Sequence, residues 1–363
     1  MPRLQRAFFD EIRRLGLDPD CPLPSVELAL NQLRAAGAPE YVIEELKSRI
    51  PKTLKEQYDI VLKPIQCDVI SDCKLLGATW EGEILIGCLP TNASNASVKK
   101  VSGGYLVLLN HGLIQLLNQL AKVFVSSAHL VMVAQGDEVP MAFADWLAFK
   151  PSDWTREDAL KAVAAIYQGL LEGDITMAPA YPVPEMNQEL EFYTRLLTYS
   201  ERFVVSHEFA HVLAGDCDAE EEVVDLHQIQ RIRKAELDAD RLAIRLLFAS
   251  VDFAADDPDV LVDAQLRAAG IALAFLSNWI ADCVQNLSRG LSLGNEKLET
   301  HPHLQRRLLD ARANIKRYRG PVTDYMDILI TWAWGVMLPV VGQLTDNEDI
   351  LEMASSPPAI RFD

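Results

Sequence analysis

Residues 203–215 read Phe-Val-Val-Ser-His-Glu-Phe-Ala-His-Val-Leu-Ala-Gly and contain the pattern His207-Glu208-x-x-His211. On a helix, positions i and i+4 lie on one face, one turn apart, so both imidazoles can ligate the same metal ion. Glu208 follows the first histidine and can reach a water molecule on that ion without being a ligand itself. The apolar residues around the motif indicate a buried helix. The alternative is a surface helix with two solvated histidines.

A second stretch, residues 234–248, supplies two carboxylates that are expected to point towards the interior. Catalytic zinc takes three protein ligands and keeps a fourth position for water. Glu236 and Asp240 each lie about 200° around the helix from a member of its charged stripe. That stripe consists of Lys234, Asp238, Arg241 and Arg245. Carboxylates directed at a core need a cation or hydrogen-bond donors, which zinc would provide for Glu236 and a ligand histidine for Asp240. An irregular charged face is the alternative.

The two stretches can meet only if the chain turns back between them. A long helix from Glu185 is expected to carry the first motif. In one continuous helix, His211 and Glu236 would be about 40 Å apart, whereas two ligands of one zinc ion each lie about 2 Å from it. Gly215 is therefore the predicted end of the first helix. The chain is expected to reverse between residues 215 and 233.

Glu236 and Asp240, in a Glu-x-x-x-Asp pattern downstream of His-Glu-x-x-His, resemble the gluzincin metallopeptidases. The closest of these are the HtpX-type and CAAX-prenyl-protease-type peptidases, with a soluble Lit-like relative as a further possibility. Residues 300–307 read Thr-His-Pro-His-Leu-Gln-Arg-Arg and resemble the His-Pro and Arg positions of that family. Residues 105–117 resemble its strand that leads into a Gly-Leu helix. The resemblance implies an α+β fold, with a mostly helical zincin-like (minigluzincin) catalytic core and a small β-sheet.

The resemblance also implies a zinc-dependent endopeptidase that holds one Zn²⁺ per chain. Its metal ligands would be His207, His211 and Glu236. Glu208 would act as general base towards the attacking water and return the proton to the leaving amine. Asp240 would accept a hydrogen bond from one ligand imidazole and fix its tautomer.

Two residues of the segment 300–307 are candidates for stabilising the negative charge that develops on the substrate's carbonyl oxygen. These are His301 and Arg307, which stand at the family's His-Pro and Arg positions. Arg307 could instead buttress Glu236 or Asp240, and the segment could simply begin a helix. Three other functions stay open: a zinc-containing regulatory or scaffold protein, a helical scaffold without metal, and an integral-membrane HtpX-like protease.

Composition limits the class of protein. The 363-residue chain has a net charge of −18, which argues against nucleic-acid binding, and its 49% of hydrophobic residues allow a sizeable core. The six cysteines form no Cys-x-x-Cys pair and the N-terminus has no apolar signal core, so we expect a cytoplasmic protein. The uncharged runs 105–121 and 328–345 are too polar or barely long enough to span a membrane, and are predicted as core. The expected partner is a protein or peptide substrate.

The chain divides into three predicted regions. These are a helical segment over residues 1–65, a metallopeptidase domain over 66–320, and a helical segment and tail over 321–363. Residues 120–184 of the domain are interpreted as a helical insertion, in which Thr155-x-x-Asp158 is a capping-box pattern. The proline-rich residues 174–184 are interpreted as an inter-helix linker, with a lid as the alternative.

Short strands are predicted between residues 77 and 110, and residues 91–100 are predicted to form an exposed loop. In zincins a small sheet flanks the zinc helix, and its edge strand can pair with an extended peptide. Residues 84–87 or 106–109 would be that edge.

Overall fold

The computed structural model describes residues 2–16, 62–130, 154–173, 187–217, 226–254, 257–288, 304–318, 321–345 and 348–355, together with a few isolated residues between 18 and 47. It confirms the predicted α+β class, because helices surround one small sheet. The helices before the metal-site motif are α1 (Pro2–Arg14), α2 (Lys63–Leu75), α3 (His111–Ser127) and α4 (Arg156–Leu171). Those from the motif onwards are α5 (Asn187–Ala214), α6 (Leu226–Leu247), α7 (Pro258–Ser288), α8 (Leu304–Ile315), α9 (Asp324–Trp332), α10 (Leu338–Thr345) and α11 (Glu348–Ser355), with a π-helical turn, Ala333–Met337, joining α9 to α10.

The sheet has three strands in the order β1-β3-β2. Its strands are β1 (Glu83–Leu89), β2 (Ala96–Val101) and β3 (Gly104–Asn110). β1 pairs with β3 in parallel, and β2 pairs with β3 as an antiparallel hairpin. The hairpin turn needs glycine, because Gly103 has a φ of 99° in the left-handed region.

Two predictions about this sheet are wrong. The second half of the predicted loop 91–100 is strand β2, whose polar side chains are typical of a sheet edge rather than of a loop. Residues 106–109 cannot be an edge, because β3 is the central strand. The edges of this sheet are β1, as the alternative over residues 84–87 predicted, and β2.

Each face of the sheet packs on helices. On one face, α1 inserts Leu4, Phe8 and Ile12 against Leu85, Leu89, Leu106 and Leu108. Gly87 permits this contact, since a Cβ atom there would lie 2.2 Å from the Phe8 ring. The other face carries Ile84, Ile86, Val107 and Leu109 into the main core, which it shares with the helices. The metal-site helix α5 contacts the sheet on that second side.

Helix α5 lies at the centre of the helical layer, with α6 and α7 packed against it. α7 approaches closely at Gly270, where a Cβ atom would lie 2.8 Å from Tyr199 Cβ. α5 ends at Ala214, and Gly215 adopts a φ of 75° while its N–H donates to the carbonyl of His211. The predicted helix stop at Gly215 is therefore confirmed, and the chain returns as α6, as the metal-site argument required.

The predicted insertion contains helix α4, which begins at Thr155 with the predicted capping box: the Thr155 hydroxyl accepts from the Asp158 N–H and the Asp158 carboxylate accepts from the Thr155 N–H. The proline-rich residues 174–184 lie outside the described residues. The predicted domain limits stay a prediction. Helix α2 extends across the predicted limit at residue 65, and its buried apolar residues pack in the same hydrophobic core as those of α9.

Two helical runs are long and apolar enough to cross a membrane by length and composition, Pro258–Cys283 and Asp324–Leu344. In the protein, 78% and 83% of their most apolar windows are buried. Most of residues 328–344 are thus core, as predicted. Residues 105–121 form most of β3 and the first part of α3, and so are not one continuous apolar helix.

Candidate metal centre

The packing of α5 on α6 brings three potential metal ligands together. His207 and His211 lie one turn apart on α5, and Glu236 projects from α6. Their ligand atoms all lie within 4.8 Å of one another. The three side chains expose only 12%, 15% and 13% of their surface, so the cluster is nearly closed to solvent.

The ligand atoms form a compact triangle. His207 Nε2 lies 3.2 Å from His211 Nε2 and 3.3 Å from Glu236 Oε2, and His211 Nε2 lies 3.6 Å from Glu236 Oε1. Tetrahedral ligands at about 2.0–2.2 Å from one zinc ion are roughly 3.4 Å apart. Two imidazoles and one carboxylate at this spacing therefore fit a single zinc ion with a fourth position left open.

Both histidines have a carboxylate next to the other ring nitrogen. Asp240 Oδ1 lies 3.0 Å from His207 Nδ1, and Asp216 Oδ1 lies 2.9 Å from His211 Nδ1. A carboxylate on Nδ1 favours the tautomer in which Nε2 carries the free lone pair, and it raises the basicity of that nitrogen as a ligand. The Asp240 contact was predicted. The Asp216 contact was not predicted.

Asp240 is itself held by Arg307. The guanidinium donates from Nε to Oδ2 at 2.8 Å and from an Nη to Oδ1 at 2.6 Å, and both side chains are almost fully buried. Its carbon Cζ lies 4.5 Å above the centre of the Phe275 ring. Burial would raise the pKa of the Asp240 carboxyl, but Arg307 and His207 together hold it below its ordinary value. Asp240 is thus kept as a carboxylate beside the ligand histidine.

The charges of the cluster favour a cation at its centre. Burial would lower the pKa of His207, but the Asp240 and Glu236 carboxylates outweigh burial and raise it to about 10. Two buried carboxylates around one imidazole need either a proton on that ring or a metal ion to compensate them. The donor set of two histidines and one glutamate is one that catalytic zinc sites use.

A cleft opens in front of the cluster, with the general-base candidate Glu208 in its wall. Glu208 is 9% exposed. The cleft is lined by residues 94–96, which lead into strand β2, and by Asn278, Asp282 and Arg307. Leu113, Phe203 and Val204 supply its apolar surface. The cleft residues of α7 and of residues 94–96 were missed, because an apolar helix and a polar loop carry no motif.

The residues predicted for the site therefore fall into two groups. His207, Glu208, His211, Glu236, Asp240 and Arg307 come together around the cleft. Of the two roles that the sequence analysis left open for Arg307, its contact with Asp240 corresponds to the supporting one. His301, the other candidate for stabilising the substrate's oxygen, lies outside the described residues, so its role stays a prediction.

Comparison with known proteins gives one match. A family model described as Peptidase U49 matches residues 125–324, which is more than half of the chain and includes α5, α6 and Arg307. No curated protein and no solved structure matches the chain.

Proposed function

The chain belongs to the Peptidase U49 family, and we propose that it is a zinc-dependent endopeptidase that cleaves a protein or peptide substrate. The observation that carries the zinc assignment is the triangle formed by His207 Nε2, His211 Nε2 and the two carboxylate oxygens of Glu236, with distances of 3.2 to 3.6 Å. The family match supports the peptidase class, and the spacing of the three side chains supports the proposal of a zinc ion.

In this proposal each residue around the cleft has a separate task. His207, His211 and Glu236 would hold a zinc ion, which would supply a Lewis acid for the substrate carbonyl and would lower the pKa of the attacking water. Glu208 accepts a proton from that water as its oxygen bonds to the carbonyl carbon and the carbonyl electron pair moves to oxygen. When the pair returns and the C–N bond breaks, Glu208 gives the proton to the leaving amine. Asp240 and Asp216 keep the two imidazoles oriented throughout.

The sheet offers a place for the substrate backbone. Residues 94–96 line the cleft and run directly into β2, which is an edge strand of the described sheet. An extended peptide can add to such an edge through main-chain hydrogen bonds. Asn110 fixes the start of this wall, because its side-chain amide donates to the backbone carbonyl of Asn95 at 2.9 Å and to Asn95 Oδ1 at 2.6 Å. A peptide bound along β2 would present its backbone to Glu208.

The test combines metal analysis with a protease assay on three forms of the protein. The wild type should bind one zinc per chain and degrade an unfolded fluorescent protein substrate, and a chelator should stop the reaction. Glu236→Ala should lose stoichiometric zinc. Glu208→Gln should keep zinc and lose activity, because the side chain keeps its shape but can no longer accept the proton.

The matched control is Glu191→Gln, an exposed glutamate on the same helix α5, which should change neither zinc content nor activity. Zinc binding by the wild type without any hydrolysis would favour a non-catalytic zinc protein instead. Full zinc occupancy in Glu236→Ala would remove Glu236 from the ligand set.

A further inference from the structure

During hydrolysis, negative charge develops on the substrate's carbonyl oxygen. None of the described residues assigned a task above donates a hydrogen bond to that oxygen. A hydrogen-bond donor aimed at that oxygen accelerates hydrolysis, since the bond strengthens as the charge grows. Glu208 and Glu236 are carboxylates and can only accept once ionised. Arg307 also lines the cleft, but its guanidinium donates from Nε and one Nη to Asp240 and stacks on Phe275, so its orientation is set by that carboxylate.

Helix α7 presents one face to the metal site. Phe275 packs at 5.2 Å from the ring of Phe203, and Phe203 lies 6.5 Å from the ring of His207. Asn278 follows Phe275 by three residues, which places it on the same face of α7, one turn further along. It lines the cleft together with His207, Glu208 and Glu236.

The side-chain amide of Asn278 is available for a ligand. It is half-buried, and within the described part of the chain it makes no hydrogen bond to another residue. An amide has two N–H donors and no charge, so it can approach an oxygen that is neutral in the substrate and negative during the reaction. Ser94, a hydroxyl donor that also lines the cleft, is only 7% exposed and lies next to the strand proposed for the peptide backbone.

We propose that Asn278 is a catalytic residue whose amide N–H donates to the carbonyl oxygen of the scissile peptide bond and stabilises the charge that forms there. This assignment rests on the proposed peptidase function. It adds a donor from α7 to the cleft. The carbonyl oxygen is then held by the metal site and by a neutral amide, while the substrate backbone lies along the strand.

The test uses two kinds of ligand on the zinc-loaded, full-length protein. N-phosphoryl dipeptides carry a tetrahedral anionic group that resembles the charged oxygen, whereas mercaptoacetyl dipeptides with the same side chains bind zinc through sulfur and lack that oxygen. Calorimetry should show that Asn278→Ala lowers the affinity for the phosphoryl ligands by about a hundredfold, the lower end of the 10²–10³ effect of removing one such donor. The affinity for the thiol ligands should change by less than about threefold. In the protease assay, kcat should fall by a similar factor with little change in KM.

Three further variants make the result specific. Asn278→Asp keeps the shape but replaces the donor by a carboxylate, so it should lose at least as much affinity for the phosphoryl ligands. Ser94→Ala should change the affinity for both kinds of ligand by the same factor, because Ser94 lies next to the strand proposed to bind their backbone. Ser277→Ala controls for the packing of α7, because Ser277 is fully buried and bonds only within its own helix, to the Leu273 carbonyl.

Equal losses for both kinds of ligand, or no loss for either, would overturn the assignment of Asn278. A loss in Ser94→Ala that is confined to the phosphoryl ligands, with no loss in Asn278→Ala, would assign the donor to Ser94 and equally overturn it. A wild-type protein that binds zinc but neither kind of ligand, and has no protease activity, would instead contradict the proposed peptidase function on which the assignment rests.

Discussion

Two aspartates complete the metal cluster, and they come from different parts of the chain. Asp240 lies on the same helix as Glu236, buried and held by Arg307. Asp216 directly follows the glycine that ends α5, and its side chain is 30% exposed. The turn at Gly215 thus has two effects, since it ends the helix and brings a carboxylate back onto His211. Each imidazole therefore has, beside its Nδ1, a carboxylate that is not among the proposed metal ligands.

Asp216 can be tested without disturbing the core. Asp216→Ala should weaken zinc affinity by about 10–100-fold, because His211 loses the carboxylate that orients it and raises its basicity. Asp216→Asn should have a smaller effect, as an amide oxygen can still accept from Nδ1–H. Zinc affinity would be measured by competition with a chelating dye, with thermal unfolding as a check on folding. Asp238→Ala is the control, since Asp238 pairs with Arg241 on the surface. Unchanged affinity in Asp216→Ala would show that this contact does not support the site.

Glu201 is a buried acid that the proposed mechanism does not use. It lies seven residues before Glu208, on the same face of α5, and is 7% exposed. Burial raises the pKa of its carboxyl from 4.5 to about 7. The folded protein therefore holds a proton on Glu201 more tightly than the unfolded chain does. Ionisation of this residue opposes folding as the pH rises from about 4.5 to beyond 7.

Removing this charge should stabilise the protein increasingly as the pH rises above about 4.5. Glu201→Gln should raise the free energy of unfolding at pH 8 by up to about 3 kcal/mol, because a pKa difference of one unit corresponds to about 1.4 kcal/mol. Near pH 4 the variant and the wild type should be equally stable, as Glu201 is then protonated in both states. Urea unfolding at several pH values measures the difference. The exposed Glu352→Gln serves as control, and a pH-independent effect of Glu201→Gln would contradict the raised pKa.

The sequence predicts the residues of the site where helical periodicity applies. His207 and His211 follow from the i, i+4 spacing, and Glu236 and Asp240 follow from their angle to the charged stripe on α6. Asp216 could not be found in this way, since its position depends on the left-handed turn at Gly215. Asn278 could not be found either, because it lies in an apolar helix and reaches the cleft only through the packing of α7 on α5.

At the scale of elements, strand β3 and helix α3 meet the loop that forms one wall of the cleft. α3 begins directly after β3, and the N–H of Gly112 in its first turn donates to the carbonyl of Thr91 at 2.9 Å. A Cβ atom on Gly112 would lie 2.3 Å from the backbone oxygen of Asn92. Glycine at this position therefore lets the segment before residues 94–96 lie directly on the helix.

Substitution of this glycine should displace the wall. Gly112→Ala should cost about 1–3 kcal/mol of stability, the usual range for overpacking, and should lower peptidase activity more than zinc binding, since the ligands lie on other helices. Gly335→Ala is the matched control, because a Cβ atom there meets no atom within 4 Å. Chemical denaturation and zinc titration measure the two effects. Equal stability and equal peptidase activity in the two variants would show that the close contact at Gly112 does not contribute to either property.

Elements with a strong local signal were predictable, and those that depend on distant pairing were not. The capping box of α4 and the glycine stop of α5 are local features and appear where the sequence places them. Strand β2 was not predicted because its serine and lysines interrupt the alternation of apolar and polar residues that indicates a strand. An edge strand tolerates such polar residues. The central place of β3 arises from its parallel pairing with β1, across about twenty residues of chain, and nothing within residues 106–109 indicates it.

At the scale of the whole molecule, charged side chains connect the two apolar helical runs, Pro258–Cys283 and Asp324–Leu344, to neighbouring helices. Asp263 on α7 accepts a hydrogen bond of 2.7 Å from Arg195 on α5, and Arg267 on α7 donates to the Leu247 carbonyl at the end of α6. Asp327, on the second run, accepts two hydrogen bonds of 2.7 Å from Arg312 on α8. These pairs join helices that lie side by side in the described fold. A bilayer around either run would separate the partners or move charged groups into hydrocarbon, which is costly.

We therefore propose that the protein is cytoplasmic and folds in water without a bilayer, with both runs serving as core helices. After lysis without detergent, the full-length chain should stay in the supernatant of a high-speed spin and should bind zinc in that form. An Arg312→Met variant should lose about 3–5 kcal/mol of stability, because it leaves Asp327 buried without its ion-pair partner. As a control, Arg241→Met removes an ion pair between exposed side chains and should cost at most about 1 kcal/mol. Recovery of the wild type only from membranes, resistant to high salt and alkaline washing, would instead favour an integral-membrane protease.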